Sequence, residues 1–153
     1  MRKNYFPSVK GSPPPLRIQV ERKVRFEETD PLGIVWHGRY ASFFEDARTA
    51  AGEKYGFGYP DFEKNEVNAP IRILHTDFLI PLKFNETFII EGRLHWTEAV
   101  RMNIDYLIWN AAGRLATTGY TVQVLLDKED NLLLTPPPFF LEFREKWRSG
   151  GFQ

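Results

Sequence analysis

A carboxylate lies seven positions before the start of a predicted helix in this chain, with a tight turn between them. The segment Asp30-Pro31-Leu32-Gly33 has Asp, Pro and Gly where a type I turn favours them, and an amphipathic helix pattern begins at His37. The N–H groups at a helix start are unpaired and lie at the positive end of the helix dipole, so they can stabilise an oxyanion. Asp30 can activate water or attack a carbonyl carbon. The pattern indicates hydrolysis of an acyl group, although spacing alone more simply fits an ordinary turn residue or helix cap.

A strand and a helix are predicted on the two sides of this turn. Apolar and polar residues alternate over residues 16–27, with Arg22 as the exception on the apolar side, which predicts a long half-buried strand. Helical spacing predicts a helix over residues 37–55 that ends at Gly56. Its apolar stripe consists of Tyr40, Phe43, Phe44, Ala47, Ala51 and Tyr55.

Two features of this helix predict how it packs. Gly52 lies in its interior, where glycine costs about 1 kcal/mol relative to alanine, and we expect a close packing contact there. Glu45 and Arg48 lie off the apolar stripe and are one turn apart, so we expect a structural ion pair between them.

The remaining sequence predicts four more strands and a short helix. Short connections between consecutive strands are typical of antiparallel hairpins. The order β–α–β–β–β–β therefore predicts an α+β domain, with one long helix across a five-stranded antiparallel sheet. Because one helix cannot cover both faces of that sheet, the apolar remainder favours self-association. The predicted segments are a polar loop at 56–68, strands at 71–80, 87–96, 101–110 and 114–126, and a helix at 139–148.

Composition excludes several classes of function. Lys+Arg and Asp+Glu are balanced at 20 each, so no overall field recruits nucleic acid or an anionic membrane. There is no cysteine, which excludes disulfides and a thiol nucleophile. His75 and His95 lack the spacing of metal ligands and are expected at the surface or an interface. No signal peptide or membrane span is apparent, so we expect a cytoplasmic protein with no metal, cofactor or membrane insertion.

The chain is predicted to contain one domain. Residues 1–15 are rich in charged and small residues and end in Pro13-Pro14-Pro15, which is typical of a flexible arm. Residues 16–148 form the predicted domain, and residues 149–153 a short tail.

A longer motif around the turn resembles a known family. Residues 24–40, VRFEETDPLGIVWHGRY, and residues 43–48, FFEDAR, resemble the hotdog-fold thioesterases. The similarity is greatest to the 4-hydroxybenzoyl-CoA thioesterase family and its YbgC-like branch of short acyl-CoA thioesterases. It extends from about Arg17 to Arg144.

The resemblance implies roles for individual residues. Asp30 matches the family's catalytic carboxylate, and His37 matches the residue whose backbone N–H polarises the thioester carbonyl. Gly33 matches the glycine that shapes the turn, and Trp36 stands where the family often has Tyr. Tyr40 is expected to line an acyl pocket at a subunit interface. The implied substrate is an acyl-CoA, and the implied assembly is a homodimer or a dimer of dimers, which is a homotetramer.

Three alternatives remain open. The acyl donor could be an acyl carrier protein (ACP) rather than CoA. The domain could also be a non-catalytic acyl-CoA-binding module, although such a module has no need of an acid at Asp30. Helix acids are catalytic in other hotdog branches, so Glu45 is a weaker candidate than Asp30.

Overall fold

One long helix lies across a five-stranded antiparallel sheet in the computed structural model, which describes residues 3–152. The elements are β1 Leu16–Lys23, α1 Tyr40–Tyr55, α2 Tyr59–Lys64, β2 Ile71–Phe78, β3 Thr87–His95, β4 Arg101–Trp109, β5 Leu115–Val124 and α3 Pro138–Arg148. The strand order is β1-β3-β4-β5-β2, so β1 and β2 are the edges of the sheet. The predicted α+β architecture and its element order are confirmed.

The first strand is shorter than predicted. β1 ends at Lys23, and a 3-10 turn follows at Phe26–Glu28. The Glu28 carboxylate accepts a hydrogen bond from the Arg25 N–H at 2.8 Å, which closes this turn. Phe26, which the alternation placed on the buried side, is therefore 80% exposed. The prediction of a strand to residue 27 was wrong because a side-chain-to-backbone bond competes with the sheet.

The helical segments also differ from the prediction at their ends. A 3-10 turn at His37–Arg39 precedes α1, which begins at Tyr40 and ends before Gly56, a residue with φ of +81°. The predicted polar loop at 56–68 contains α2, whose first turn is closed by the Asp61 carboxylate accepting from the Gly58 N–H at 2.8 Å. No helix within residues 3–152 is long and apolar enough to cross a bilayer.

The core lies between α1 and one face of the sheet. Apolar side chains of β3 and β4 meet the predicted stripe of α1, in which Phe43 and Ala47 are fully buried. Phe44 stacks on Tyr106 with ring centroids 4.5 Å apart. A Cβ placed on Gly119 would lie 2.6 Å from the Phe44 ring, so only glycine lets the helix approach β5 here.

Polar residues of β5 face the helix. Thr121 and Gln123 pair with Ile104 and Met102 on the inner side of the sheet. Gln123 accepts a hydrogen bond from Arg48 Nε at 2.8 Å and donates to the Ala69 carbonyl at 2.5 Å. The sheet therefore has a polar strip beneath the middle of α1.

Arg48 is the cation of this strip. It is 1% exposed and lies over the rings of Phe57 and Tyr59 at 4.8 and 4.7 Å. Burial lowers the pKa of its guanidinium. Glu45 instead accepts from the Tyr59 hydroxyl at 3.0 Å, and no carboxylate within residues 3–152 pairs with Arg48. The expected Glu45–Arg48 ion pair was wrong.

The N-terminal segment packs on the outer face of the sheet. The Tyr5 ring lies tilted against Tyr120, the Phe6 ring meets Tyr120 edge-to-face, and Phe6 also contacts the ring of His95. His95, expected at the surface or an interface, is thus buried. The segment ends beside α3, where the indole N–H of Trp147 donates to the Pro14 carbonyl at 2.9 Å.

The close contact expected at Gly52 is present and gives a stability prediction. A Cβ at this position would lie 2.6 Å from the Gly58 Cα. Gly52→Ala gains about 1 kcal/mol of helix propensity, but overpacking costs about 1–3 kcal/mol. We expect a net loss of about 1 kcal/mol in the free energy of unfolding, measured by urea denaturation. Thr49→Ala, at an exposed position of the same helix, should change it by less than about 0.5 kcal/mol; equal effects in the two variants would contradict the packing argument.

Candidate active site

The Asp30 turn is held by its own backbone and side chain. Asp30 is half-buried, and its Oδ1 accepts from the Leu32 N–H at 2.8 Å. Its carbonyl accepts from the Gly33 N–H at 3.0 Å. Gly33 has φ of +75°, which glycine adopts without strain. Asp30 Oδ2 accepts no hydrogen bond from residues 3–152, so one carboxylate oxygen is left for a ligand or water.

Backbone hydrogen bonds carry the chain from this turn to the start of the helix. The Val35 N–H donates to the Leu82 carbonyl at 2.8 Å, and the Trp36 N–H donates to the Glu28 carbonyl at 2.9 Å. The Phe84 N–H donates to the Gly33 carbonyl at 3.0 Å. The segment between Asp30 and His37 is therefore hydrogen-bonded on one side to the 3-10 turn that follows β1. On its other side it is hydrogen-bonded to the chain that leads into β3.

The first helical amides are left without protein partners. The N–H groups of His37 and Gly38 donate to no acceptor within residues 3–152, and Trp36, the residue before the turn, makes no side-chain cap. Unpaired donors at this position are available to an oxyanion.

A partly buried ionic cluster links the chain before this turn to α1. Arg22 pairs with Glu28 at 3.1 Å and with Asp46 of α1 at 2.5 Å, and it lies over the Phe43 ring at 5.1 Å. Glu28 is buried and also holds the Arg25 N–H. Arg22, the exception in the alternation of β1, thus ties the 3-10 turn at Phe26–Glu28 to the helix.

A cavity of about 310 Å³ opens beside Asp30 and the helix start. Its polar wall is formed by Asp30 and His37, and its apolar wall by Ile34, Val35, Tyr40 and residues 78–81. Tyr40 is buried, and this burial raises the pKa of its hydroxyl. A larger groove of about 930 Å³ lies between residues 5–13 and the β3–β4 connection. Neither the Asp30 turn nor the start of α1 contributes to its lining.

The matched part of the sequence includes the Asp30 turn and every residue that lines the cavity. Residues 24–143 match the family model of the thioesterase-like superfamily. This chain belongs to the thioesterase-like superfamily. The match contains the Asp30 turn, α1 and strands β2 to β5.

Individual members of the superfamily are similar over most of the chain. The putative acyl-CoA thioesterase YneP of Bacillus subtilis (strain 168) is 33% identical over 109 residues, which cover 71% of this chain and 79% of YneP. The acyl-CoA thioester hydrolase YbgC of Escherichia coli O6:H1 is 23% identical over 105 residues, 69% of this chain and 78% of that protein. A solved DHNA-CoA thioesterase from Staphylococcus aureus has a TM-score of 0.78 and 27% identity, with coverage of 88% of this chain and 91% of that one. The hotdog fold and the thioester-hydrolase class predicted from the sequence are confirmed.

Within this thioesterase-like domain, only three of the five predicted site residues line the same cavity. Asp30, His37 and Tyr40 share the cavity. Gly33 shapes the turn behind it without lining it. Trp36 is 48% exposed and lies over Gly38, where an added Cβ would be 2.2 Å from the indole ring, so its side chain is outside the cavity lining.

The second wall of the cavity was not predicted. Phe78, the last residue of β2, and the next three residues, Leu79, Ile80 and Pro81, lie opposite the helix start. The Tyr40 and Phe78 rings meet at a centroid distance of 5.0 Å. The sequence signal that could have identified this wall is the run of four apolar residues at 78–81, which interrupts the alternation expected of a half-exposed strand.

The positive φ of Gly33 gives a prediction for the turn. An alanine side chain in the left-handed region costs about 1–2 kcal/mol, so Gly33→Ala should lower the free energy of unfolding by about 1 kcal/mol. Leu32→Ala is the matched control, because Leu32 is 78% exposed in the same turn. Chemical denaturation of both variants measures the difference. A loss of similar size in the control would show that the turn tolerates neither change and that φ is not the cause.

Proposed function

We propose that this protein hydrolyses an acyl-CoA thioester to the free acid and CoA, with Asp30 as general base or nucleophile. The observation that carries the proposal is the position of Asp30 and the unpaired His37 N–H on one wall of a largely apolar cavity. Similarity to YneP and YbgC supports acyl-CoA as the donor. We place the chain in the YbgC-like branch of the 4-hydroxybenzoyl-CoA thioesterase family.

The proposed reaction divides its work between the turn and the helix start. In the general-base route, Asp30 takes a proton from water as the water oxygen bonds to the thioester carbon. In the nucleophilic route, an Asp30 oxygen bonds to that carbon and water later hydrolyses the mixed anhydride. In both routes the carbonyl oxygen becomes negative, and the N–H groups of His37 and Gly38 stabilise it. The C–S bond then breaks, and the thiolate leaves and takes up a proton.

The fixed half of the Asp30 carboxylate supports this role. Oδ1 is engaged by the Leu32 N–H at 2.8 Å, so the side chain is oriented before substrate binds. The remaining oxygen has no protein partner within the described residues and can accept the proton from water. Preorganisation of this kind avoids reorientation during the reaction.

The apolar wall accommodates the acyl group. Tyr40 and Phe78 present aromatic rings, and Ile34, Val35 and Ile80 present aliphatic side chains. A pocket lined mainly by apolar groups with few polar ones is typical of small-molecule sites. The acyl group therefore enters between α1 and the end of β2, with its carbonyl at the helix start.

A second copy of the chain is the proposed partner at the edge strand β2. Ile71, Ile73 and Leu74 are 44%, 44% and 49% exposed, and an edge strand leaves a row of backbone groups unpaired. Pairing of β2 with β2 of another copy would cover this apolar strip and the open side of the cavity at Phe78. The proposed assembly is a dimer or a dimer of dimers.

Replacing the acid without disturbing the turn tests the catalytic proposal. Asn at position 30 still accepts a hydrogen bond from the Leu32 N–H but cannot act as a base. We expect Asp30→Asn to lower kcat by about 100- to 10,000-fold with unchanged circular dichroism and oligomeric state. Glu27→Gln, an exposed acid nearby, is the control and should retain full activity. An Asp30→Asn variant that keeps most of the wild-type rate would refute the assignment.

A thiol-release assay across a panel of esters identifies the donor. The panel contains aliphatic, hydroxylated and aromatic CoA esters and the matching carrier-protein esters. We expect turnover of CoA esters above that of carrier-protein esters. The reverse order would establish the carrier-protein alternative. Binding of acyl-CoA without turnover of any ester would establish the binding-module alternative.

A charged residue on the β2 edge tests the proposed assembly. Leu74→Asp should convert the wild-type oligomer to monomer, because pairing of two copies would bury both carboxylates in an apolar strip. Sedimentation velocity measures the change. Gln19→Asp, at an exposed position on the opposite edge strand β1, should leave the assembly intact. An unchanged sedimentation coefficient for Leu74→Asp would exclude β2 as the contact.

A further inference from the structure

The N-terminal segment makes a set of polar contacts with the end of β2. The Tyr5 hydroxyl donates to an Asp77 carboxylate oxygen at 2.6 Å and lies 2.7 Å from the Thr118 hydroxyl. Lys3 Nζ and His75 Nε2 both lie 2.9 Å from the same Asp77 oxygen. One side chain of the arm therefore bridges β2 and β5 where Asp77 and Thr118 are register partners.

The charge states of the bridge favour a lasting contact at neutral pH. Hydrogen bonds from Tyr5, Lys3 and His75 hold the pKa of Asp77 well below its usual range, so this carboxylate is ionised. Burial, with a smaller contribution from the Asp77 bond, raises the pKa of Tyr5 to about 12. Tyr5 thus remains a neutral donor to a charged acceptor, which is among the stronger kinds of hydrogen bond.

The bridged part of β2 continues directly into the cavity wall. Asp77 faces the outer side of the sheet, and the next residue, Phe78, lines the cavity on the inner side. Beyond the strand, the N–H groups of Leu79 and Ile80 both donate to the Ala116 carbonyl at 2.9 Å. This wall continues from an edge strand, which is paired with a neighbouring strand on only one side. Few backbone hydrogen bonds therefore hold the wall to the sheet.

We propose that Tyr5 is a positioning residue for the acyl pocket: by clamping Asp77 of β2 to Thr118 of β5 from the outer face, it holds the Phe78–Pro81 wall against the helix start. The proposal rests on the proposed function, because it assigns the arm an effect on the acyl-binding wall of that same cavity. Tyr5 touches neither substrate nor Asp30, and its effect passes through β2.

Removal of one hydroxyl tests the clamp. Tyr5→Phe keeps the ring against Tyr120 and His75 and deletes only the bonds to Asp77 and Thr118. Hydrogen exchange followed by mass spectrometry reports on the Leu79 and Ile80 amides. We expect their exchange to be about tenfold faster, the size of effect that loss of one hydrogen bond to a charged group produces, while amides in α1 keep their wild-type rates.

Ligand binding provides the second readout. A thioether analogue of hexanoyl-CoA, which cannot be hydrolysed, should bind Tyr5→Phe about three- to tenfold more weakly than wild type by calorimetry. In the thiol-release assay KM should rise by a similar factor while kcat stays within about twofold. Val9→Ala is the control, because Val9 is in the same arm, is 63% exposed and makes no bond to β2.

The outcomes separate the clamp from the proposed function. Unchanged exchange at Leu79 and Ile80 overturns the proposal whatever happens to binding. A uniform rise in exchange across all slow amides also overturns it, because the hydroxyl would then contribute only to global stability. If exchange at Leu79 and Ile80 is faster but the affinity for the analogue is unchanged, Tyr5 stabilises only the end of β2. That result overturns its role in positioning the acyl pocket. If the wild-type protein neither binds the analogue nor hydrolyses any ester, the proposed function is refuted. The exchange data then show only whether Tyr5 holds the end of β2 in place.

Discussion

The candidate site depends on one constraint, that Asp30 and the unpaired N–H of His37 belong to the same cavity without hydrogen bonding to each other. An Asp close to a helix start ordinarily caps it and stabilises it by about 1 kcal/mol. Here one oxygen of the Asp30 carboxylate accepts from the Leu32 N–H instead, and the hydrogen bonds donated by the Val35 and Trp36 N–H groups fix the chain between Asp30 and the helix start. The turn thereby gives up a cap and retains free donors, a local departure from optimal stability that is typical of functional sites.

Two arginines, one half-buried and one fully buried, connect this arrangement to the rest of the domain. Arg22 joins the turn after β1 to the first half of α1 through Glu28 and Asp46. Arg48, farther along the helix, reaches Gln123, which in turn holds the Ala69 carbonyl just before β2. The beginning of β2 is thus fixed from the inside of the sheet and its end from the outside by the arm. The turn on one side of the cavity and the strand that leads to the other side are therefore both tied to α1 by polar contacts.

Sequence reasoning predicted the parts that repeat and missed those that depend on a single contact. The alternation in β3 and β4 and the stripe of α1 reflect burial over many residues, so the element order and the helix followed from them. The Asp30 motif is contiguous, so its turn could also be predicted. The burial predicted for Phe26 and the Glu45 partner predicted for Arg48 were wrong, because one hydrogen bond at Glu28 and one amide at Gln123 decided these contacts. The second cavity wall failed for a different reason: Phe78 and His37 are far apart in sequence, and only the sheet brings them together.

The first and last described residues lie at different places on the domain. Lys3 lies on Asp77 beside the edge strand, whereas Phe152 packs against Tyr55 at the far end of α1. A protein fused ahead of the arm would therefore project next to the edge strand β2. A fusion behind Phe152 would project from the opposite end of the helix. The two termini are consequently not equivalent as attachment points for tags, labels or surfaces, and immobilisation through the carboxyl end leaves the exposed edge of β2 and the cavity at the start of α1 accessible.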